Sequence, residues 1–493
     1  ADPVAVHRRS MKTVLVVKVV CVLLLVIAAF MLAPIAIAVA EGETRMIRAF
    51  LFPMGATAVV TGIYLLATRG LRGGLSAKSG FLLVTMSWLS AAAIGAVPFV
   101  LSGAIPRYTD AFFETMSGFT TTGATILTDI EALPASLLFW RSLTHWLGGM
   151  GIIVLTVAIL PLLGVGGFQI MKAEAPGPSV DRLTPKITQT AKILWLIYLG
   201  LTVLETTLLM IGGLSLYDAL THTFGTLATG GFSPKAASVG HYASPFVQVV
   251  VTVFMIGAGI NFILYYRLLV GEFRLIGRNT EVKAYLSIFA VATIVIAIVL
   301  FRDTTYETFG ESLRYAGFQA ASILTTTGYA TADFARWPAL AQMVLFGLMF
   351  IGGSAGSTGG GVKVVRIVTV MKQGFNEMRY LIHSRGVFSI RLNGHPVRKD
   401  IVYSITGLAF LYLFMLLVTA IVVASGGHDL LTSFTTALAT LGNIGPGFGR
   451  IGPVENYAFF QDYIKWYLSF IMMVGRLEIY TVLVLITPAF WRR

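Results

Sequence analysis

With Cys21 as its only cysteine, this chain of 493 residues can close no internal disulfide, and that residue sits inside the first apolar run, away from any cysteine-based metal site. Charge is almost as scarce: 12% of the residues are charged against 56% hydrophobic. A soluble domain of this length could not hold a mean hydropathy of +0.81 in water, which excludes the soluble classes. Acids are outnumbered by bases, 23 to 36, for a formal net charge of +13. That sign would suit nucleic acid, but the Lys and Arg fall in short loops between apolar runs, and no basic domain with interleaved aromatics carries them. Missing too is the alternation over about ten residues that a membrane β-barrel writes. No Ser/His/Asp, Cys/His or metal cluster has the spacing of an active site, so no enzyme is expected. His145, His222 and His428 lack metal-like spacing and read as structural.

What the chain does have is apolar runs long enough, at ~1.5 Å per residue, to cross ~30 Å of hydrocarbon as helices. Ten candidate spans fall at residues 14–40, 46–68, 80–103, 136–163, 191–213, 244–270, 284–301, 338–371, 400–424 and 460–487. Residues 1–10, before Met11, read as an expression remnant outside the fold, and the first run is too long for a cleavable signal.

The last eight spans form four pairs, and each pair encloses a short amphipathic segment that opens near an acid and ends in a small-residue turn. The segments read YTDAFFETMSGFTTTGAT, LYDALTHTFGTLATGGFS, GESLRYAGFQAASILTTTGYA and GHDLLTSFTTALATLGNIGPG. Their closing trios are Thr121-Thr122-Gly123, Ala228-Thr229-Gly230, Thr326-Thr327-Gly328 and Asn443-Ile444-Gly445, with apolar anchors Phe113, Leu220, Phe318 and Phe434 ten or eleven residues earlier. A short helix followed by extended backbone at membrane depth leaves carbonyls unpaired, which lipid forbids unless they line a water-filled path. A ring of such carbonyls, with helix C-termini aimed at it, can replace the hydration shell of a monovalent cation. Small residues that merely let helices pack are the competing reading. Asp110, Asp218, Glu311 and Asp429 suit the N-termini of the short helices, as caps or as lures for cations at an outer mouth.

The eighth span is too long for one crossing and holds GGSAGSTGGG at residues 352–361. Gly352, Gly353, Gly356, Gly359, Gly360 and Gly361 make a continuous helix unfavourable at ~1 kcal/mol each, so a break is expected there, forming a candidate gate across the ion path. A nucleotide P-loop does not fit, because the Lys363 spacing is wrong and no strand precedes it. Arg476, deep in the last span, should face the bundle interior and meet the loop carbonyls or line the pore, with an ordinary interhelical tie as the alternative. Glu478 is a poor partner for it, since i,i+2 residues point to different helix faces. Linkers between repeats are basic: Arg366, Lys372, Arg379, Arg385, Arg391, Arg398 and Lys399 face only Glu377, which places them in the cytoplasm. The filter loops, with Asp129, Glu131, Asp303 and Asp333, then face outward, and Lys12 and Lys18 snorkel inward.

Four membrane-pore-membrane units, the TTTGAT first loop, the IGGSAGSTGGGVKV insertion and GNIGPGFG together resemble the superfamily of Trk, Ktr and plant HKT potassium transporters, in its TrkH/TrkG branch. The resemblance covers nearly the whole chain from Met11. It implies an all-α polytopic membrane protein with four pseudo-symmetric membrane-pore-membrane repeats around a central pore, plus two extra N-terminal transmembrane helices. The units are 11–75 (the two extra helices), 76–165, 191–272, 273–372 and 399–493, with cytoplasmic linkers at 166–190 and 373–398. It also implies a gated potassium-uptake subunit of the bacterial inner membrane, K+ held by the twelve trio residues named above, and a gate at 352–361 with Arg476 near it. A homodimer and a cytoplasmic TrkA-like partner sensing NAD(H) or ATP/ADP are implied as well, with no nucleotide site on this chain. Only the first and third trios are strictly Thr-Thr-Gly, which should weaken discrimination among potassium, rubidium and sodium. Glycine rather than serine in the first loop favours potassium, since serine there marks sodium transport in the plant relatives. The alternative is a proton- or sodium-coupled secondary transporter, which would want more mid-membrane ionisable residues and paired broken helices.

Overall fold

The computed structural model describes residues 3–149 and 187–492, with 72 and 74 excepted. Among these residues, six helices are long and apolar enough to cross a membrane: Thr13–Ala40, Thr44–Ala67, Lys78–Leu101, Gln189–Ile211, Thr280–Arg302 and Lys399–Ala424. Their outer faces keep Val59, Val60, Ile63, Leu66, Val291 and Ile294 exposed, apolar surface that lipid accepts and water would penalise. The first helix is already continuous from Pro3. Lys18 is buried and donates to the carbonyls of Thr68 and Leu71 at the end of the second span.

Four short helices sit between the long ones, at Tyr108–Phe119, Leu216–Leu227, Phe309–Leu324 and Leu430–Leu441. Three start on a side-chain cap that answers an orphan amide, with Ser215, Thr308 and Asp429 accepting from residues three further on. The acids expected as caps therefore divide. Asp429 is a cap, whereas Asp110, Asp218 and Glu311 lie in the first turn, where carboxylates complement the helix dipole. Asp110 is also paired with Lys465 at 2.6 Å.

Each short helix packs on the long helix before it, and the second helix of a unit reaches the short helix of the next. Ala135–Gly149 packs on Leu216–Leu227, and Pro245–Ala258 packs on Phe309–Leu324. Phe346 and Phe350, at the end of the helix Ala339–Leu348 and just beyond it, meet Phe434. Asp462–Arg476 returns to Tyr108–Phe119, so the end of the chain closes a circle onto its beginning.

Those second helices are where the sequence reading needs correction. The break expected within 338–371 is present, between Leu348 and Val364. The span expected at 244–270 is also broken, into Pro245–Ala258 and Phe262–Leu269 at 98° to each other. The one expected at 460–487 stops at Arg476 and restarts at Tyr480, with Glu478 and Ile479 both at φ +56°. The span at 136–163 is seen as a helix to Gly149, and the rest of it, like most of the linker 166–190, lies outside the described residues. The helix Val364–Ile382 runs well into the linker expected at 373–398, which also holds a two-stranded antiparallel ribbon, Arg391–Leu392 with His395–Pro396.

Candidate functional site

All four short helices end the same way. After the C-caps Thr120, Ala228, Thr325 and Gly442, the next residue is left-handed: Thr121 (φ +53°), Thr229 (+55°), Thr326 (+59°) and Asn443 (+53°). Its amide bonds the carbonyl three residues back, and the following amide bonds the carbonyl five back: Thr122 to Ser117, Gly230 to Gly225, Thr327 to Ser322 and Ile444 to Ala439. This is a Schellman ending built four times without glycine at its left-handed position. Three of the four are β-branched threonines, and non-glycine residues there cost roughly 1–3 kcal/mol each.

A second left-handed residue follows two places on, and here it is glycine: Gly123 (φ +79°), Gly231 (+78°), Gly328 (+81°) and Gly445 (+92°). The matching trios are therefore 121–123, 229–231, 326–328 and 443–445. In the second loop the register shifts by one from Ala228-Thr229-Gly230, because Ala228 is the C-cap and Gly231 carries the left-handed turn. The anchors divide likewise. Phe113 and Phe318 share one position and are fully buried, whereas Leu220 and Phe434 sit one residue earlier and are half-buried.

The glycines bring the loops together. A Cβ on Gly123 would collide with the Gly230 carbonyl oxygen, one on Gly231 with Thr327 O, one on Gly328 with Ile444 O, and one on Gly445 with Thr122 O. Each loop thus touches the next and the fourth touches the first, a closed ring of backbone. Within it Thr121, Thr122, Thr229, Thr326, Thr327, Asn443 and Ile444 are fully buried and Gly445 is buried, while the left-handed glycines Gly123, Gly231 and Gly328 are part-exposed. Among the described residues no backbone amide donates to the carbonyls of 121, 122, 229, 230, 326, 327, 443 or 444.

Residues 352–361 form a compact loop that packs against the helix ends of the third and fourth units. Gly360 N donates to Thr326 Oγ1 at 2.7 Å, and a Cβ on Gly360 would lie 2.5 Å from Gly442 O. The loop folds on itself through Gly352 N to Val362 O (2.8 Å) and Val364 N to Gly353 O (3.2 Å). It also answers the broken helix next door: Ser354 N donates to Gly259 O, Thr358 N to Ala258 O, and Phe262 N to Gly356 O. Gly353 and Gly359 pack inside the loop, while Gly356 and Gly361 take left-handed φ of +74° and +64°. Lys363 Nζ reaches Gly359 O, and Glu281 Oε1 accepts from the amides of Ala355 (2.8 Å) and Val365 (3.1 Å).

Arg476 meets one loop carbonyl and two more outside the loop. It donates through Nη1 to Thr358 O (2.6 Å) and through Nη2 to Gly148 O (3.0 Å) and Gly149 O (2.9 Å). Glu478 pairs with Arg366 instead. The three histidines have polar or backbone contacts: His145 with Gly118 O, His222 with Asp218 O and Ser233 Oγ, and His428 with Gln461 Oε1.

Sequence reading did not single out Glu114, Arg141, Glu281 or Tyr457. The signal for the first two is an acid inside YTDAFFETMSGF and an arginine inside an otherwise apolar helix, the features that marked Arg476.

The family model described as TrkH, cation transport protein, matches residues 49–493. The chain is 41% identical to the Trk system potassium uptake protein TrkH of Salmonella typhimurium, over 85% of this chain and 87% of that one. It is 39% identical to the TrkH of Halomonas elongata, over 97% and 99%. Among solved structures, that of the potassium transporter TrkH from Vibrio parahaemolyticus superposes with a TM-score of 0.86 at 35% identity, covering 97% of this chain and 99% of that one.

Arg476→Ala would remove the donor it gives to Thr358 O in the loop, along with those to Gly148 O and Gly149 O. The amides of 354–364 should then exchange with deuterium about tenfold faster, the scale of one charge-assisted hydrogen bond. Unchanged exchange would show that the loop holds its place without the arginine.

Proposed function

Because the chain belongs to the TrkH family of cation transport proteins, we propose that it takes up potassium across the bacterial inner membrane as the gated, ion-conducting subunit of a Trk-type system. It is a transporter rather than an enzyme. The observation that carries the reading is the closed ring: four glycine-kinked loops in contact, each with two carbonyls that no described backbone amide answers. Such carbonyls, buried in a bundle whose outer faces are apolar, need a guest, and a dehydrating potassium ion supplies the positive charge they lack. The short helices end at the ring, so their negative C-terminal dipoles add to its attraction for a cation. On this reading the ring is the selectivity filter of four pseudo-symmetric repeats, with rubidium accepted and sodium passed less well.

The loop at 352–361 and Arg476 are the gate in this proposal. They lie at the helix end of the ring, and Arg476 places a positive charge beside the route of a cation. A TrkA-like nucleotide-binding partner on the basic cytoplasmic face would move them, in a homodimeric assembly. The coupled alternative is favoured by one observation, the fully buried Glu205 on the span Gln189–Ile211, a mid-membrane carboxylate.

Flux through the purified chain in proteoliposomes under clamped potential separates the two. Flux that follows the electrochemical gradient, with potassium at or above rubidium and well above sodium, is the expected result. Flux that starts only when a proton or sodium gradient is imposed would make the ring a binding site. Within the same assay, Gly123→Ser should lower the potassium-to-sodium permeability ratio by roughly fivefold, about 1 kcal/mol of lost discrimination, and an unchanged ratio would remove Gly123 from the filter. Shortening 352–361 should raise basal flux; a folded variant that conducts less would refute the gate.

A further inference from the structure

The ring is not held by its own contacts alone. Behind the first loop stands an ion pair sealed from solvent, Arg141 Nε to Glu114 Oε1 at 2.6 Å, with side chains 3% and 0% exposed. Glu114 lies on the first short helix and Arg141 on the helix after it. Both have further partners. Glu114 Oε2 accepts from the amide of Ile126 at 2.9 Å, and the carboxylate also accepts from Thr125 Oγ1. Arg141 Nη1 donates to Ser233 O at 2.9 Å, and the guanidinium lies 3.5 Å from the centre of the Phe232 ring. The pair therefore joins the segment leaving the first loop to the segment leaving the second.

Contacts continue from both ends. Thr125 O accepts from the amide of Tyr457 (2.7 Å), whose hydroxyl donates to Gly445 O in the fourth loop (2.6 Å). On the other side, the Tyr329 hydroxyl, next to Gly328 in the third loop, is 3.2 Å from Phe232 O and 3.0 Å from His222 O. A belt of polar contacts thus runs from the fourth loop through the first and second to the third. The Glu114–Arg141 pair is its middle and its only ion pair.

We infer that Glu114 and Arg141 are specificity-determining positioning residues, fixing how far apart the first and second loops stand and so how closely the ring can close on an ion smaller than potassium. The inference rests on the reading of the ring as a filter. Neither residue touches the ion. Two opposed charges placed in a dry setting where aliphatic packing would serve for stability alone point to a demand for geometry. Arginine is suited to it because its planar fork holds the donors to the carboxylate and the carbonyl at fixed positions, whereas lysine offers a single point charge on a flexible stem.

The test is the potassium-to-sodium permeability ratio of Arg141→Lys, of the double variant Glu114→Gln/Arg141→Met, and of Tyr457→Phe, with melting temperature in detergent measured alongside. Arg141→Lys keeps a positive charge for Glu114 but gives up the tether to Ser233 O. The double variant removes the pair without leaving either charge stranded. Tyr457→Phe deletes one hydroxyl of the belt, and it decides the matter should the charged pair prove indispensable to folding. Each folded variant should show a ratio reduced about threefold or more, the scale of one lost hydrogen bond, through increased sodium passage at near-normal potassium flux. Unchanged ratios in folded variants, with Gly123→Ser still altering selectivity, would reduce the belt to packing and leave the filter standing. Unchanged ratios in all of them, Gly123→Ser included, would overturn the filter reading and this assignment together.

Discussion

Backbone carbonyls without donors are the constraint on which the rest of this structure depends. Hydrocarbon offers them nothing, and each would cost several kcal/mol if it faced lipid. The chain stops four helices inside the bundle, walls their ends with other helices, and brings the loops that follow them into contact in a closed ring. Two other irregularities among the described residues follow the same rule. Where the helix at Ala258 breaks, its carbonyls are met by Ser354 and Thr358 of the loop. The carbonyls of Gly148, Gly149 and Thr358 accept from Arg476.

The strain in the ring is consistent with that view. Threonine does not choose a left-handed backbone, yet Thr121, Thr229 and Thr326 adopt one, each held by a Schellman pair of hydrogen bonds. The hydroxyls are used as well: Thr120 meets Thr122 at 2.8 Å, and Thr325 meets Thr327 at 2.7 Å. In the fourth loop Asn443 replaces this local pairing with long-range bonds from Nδ2 to Thr122 Oγ1 and Met472 O. Asparagine tolerates the left-handed region better than threonine does. The departure from Thr-Thr-Gly therefore leaves the turn in place and exchanges a local contact for one across the ring.

The repeated units were legible because glycine and small residues recur after short amphipathic runs, a pattern that survives without any knowledge of packing. The break at 352–361 was legible for a related reason, since six glycines in ten residues contradict a helix on propensity alone. The breaks at Ala258 and Arg476 were not. The stretches MIGAGINF and VGRLEIY hold too few helix breakers to announce one, and the donors that stabilise the first break lie about a hundred residues further along the chain. The register of the second loop failed differently. Gly230 and Gly231 are adjacent, and only the backbone angles show that the second carries the turn. Glu114 and Arg141 were passed over because each looks like an isolated charge until the fold places them 2.6 Å apart.

Filter and gate, on the reading proposed here, cannot be independent. Gly360 donates to the hydroxyl of Thr326, one of the strained left-handed residues, and approaches the C-cap Gly442 of the fourth short helix. Moving the loop aside would break the first contact and open space beside the second, in the half of the ring built from the third and fourth units. The first and second units are braced instead by the Glu114–Arg141 pair, which the loop does not touch. A braced half and a half in contact with the loop give the ring a fixed reference against which opening can occur. That arrangement would be redundant in a pore whose four quarters carried identical loads.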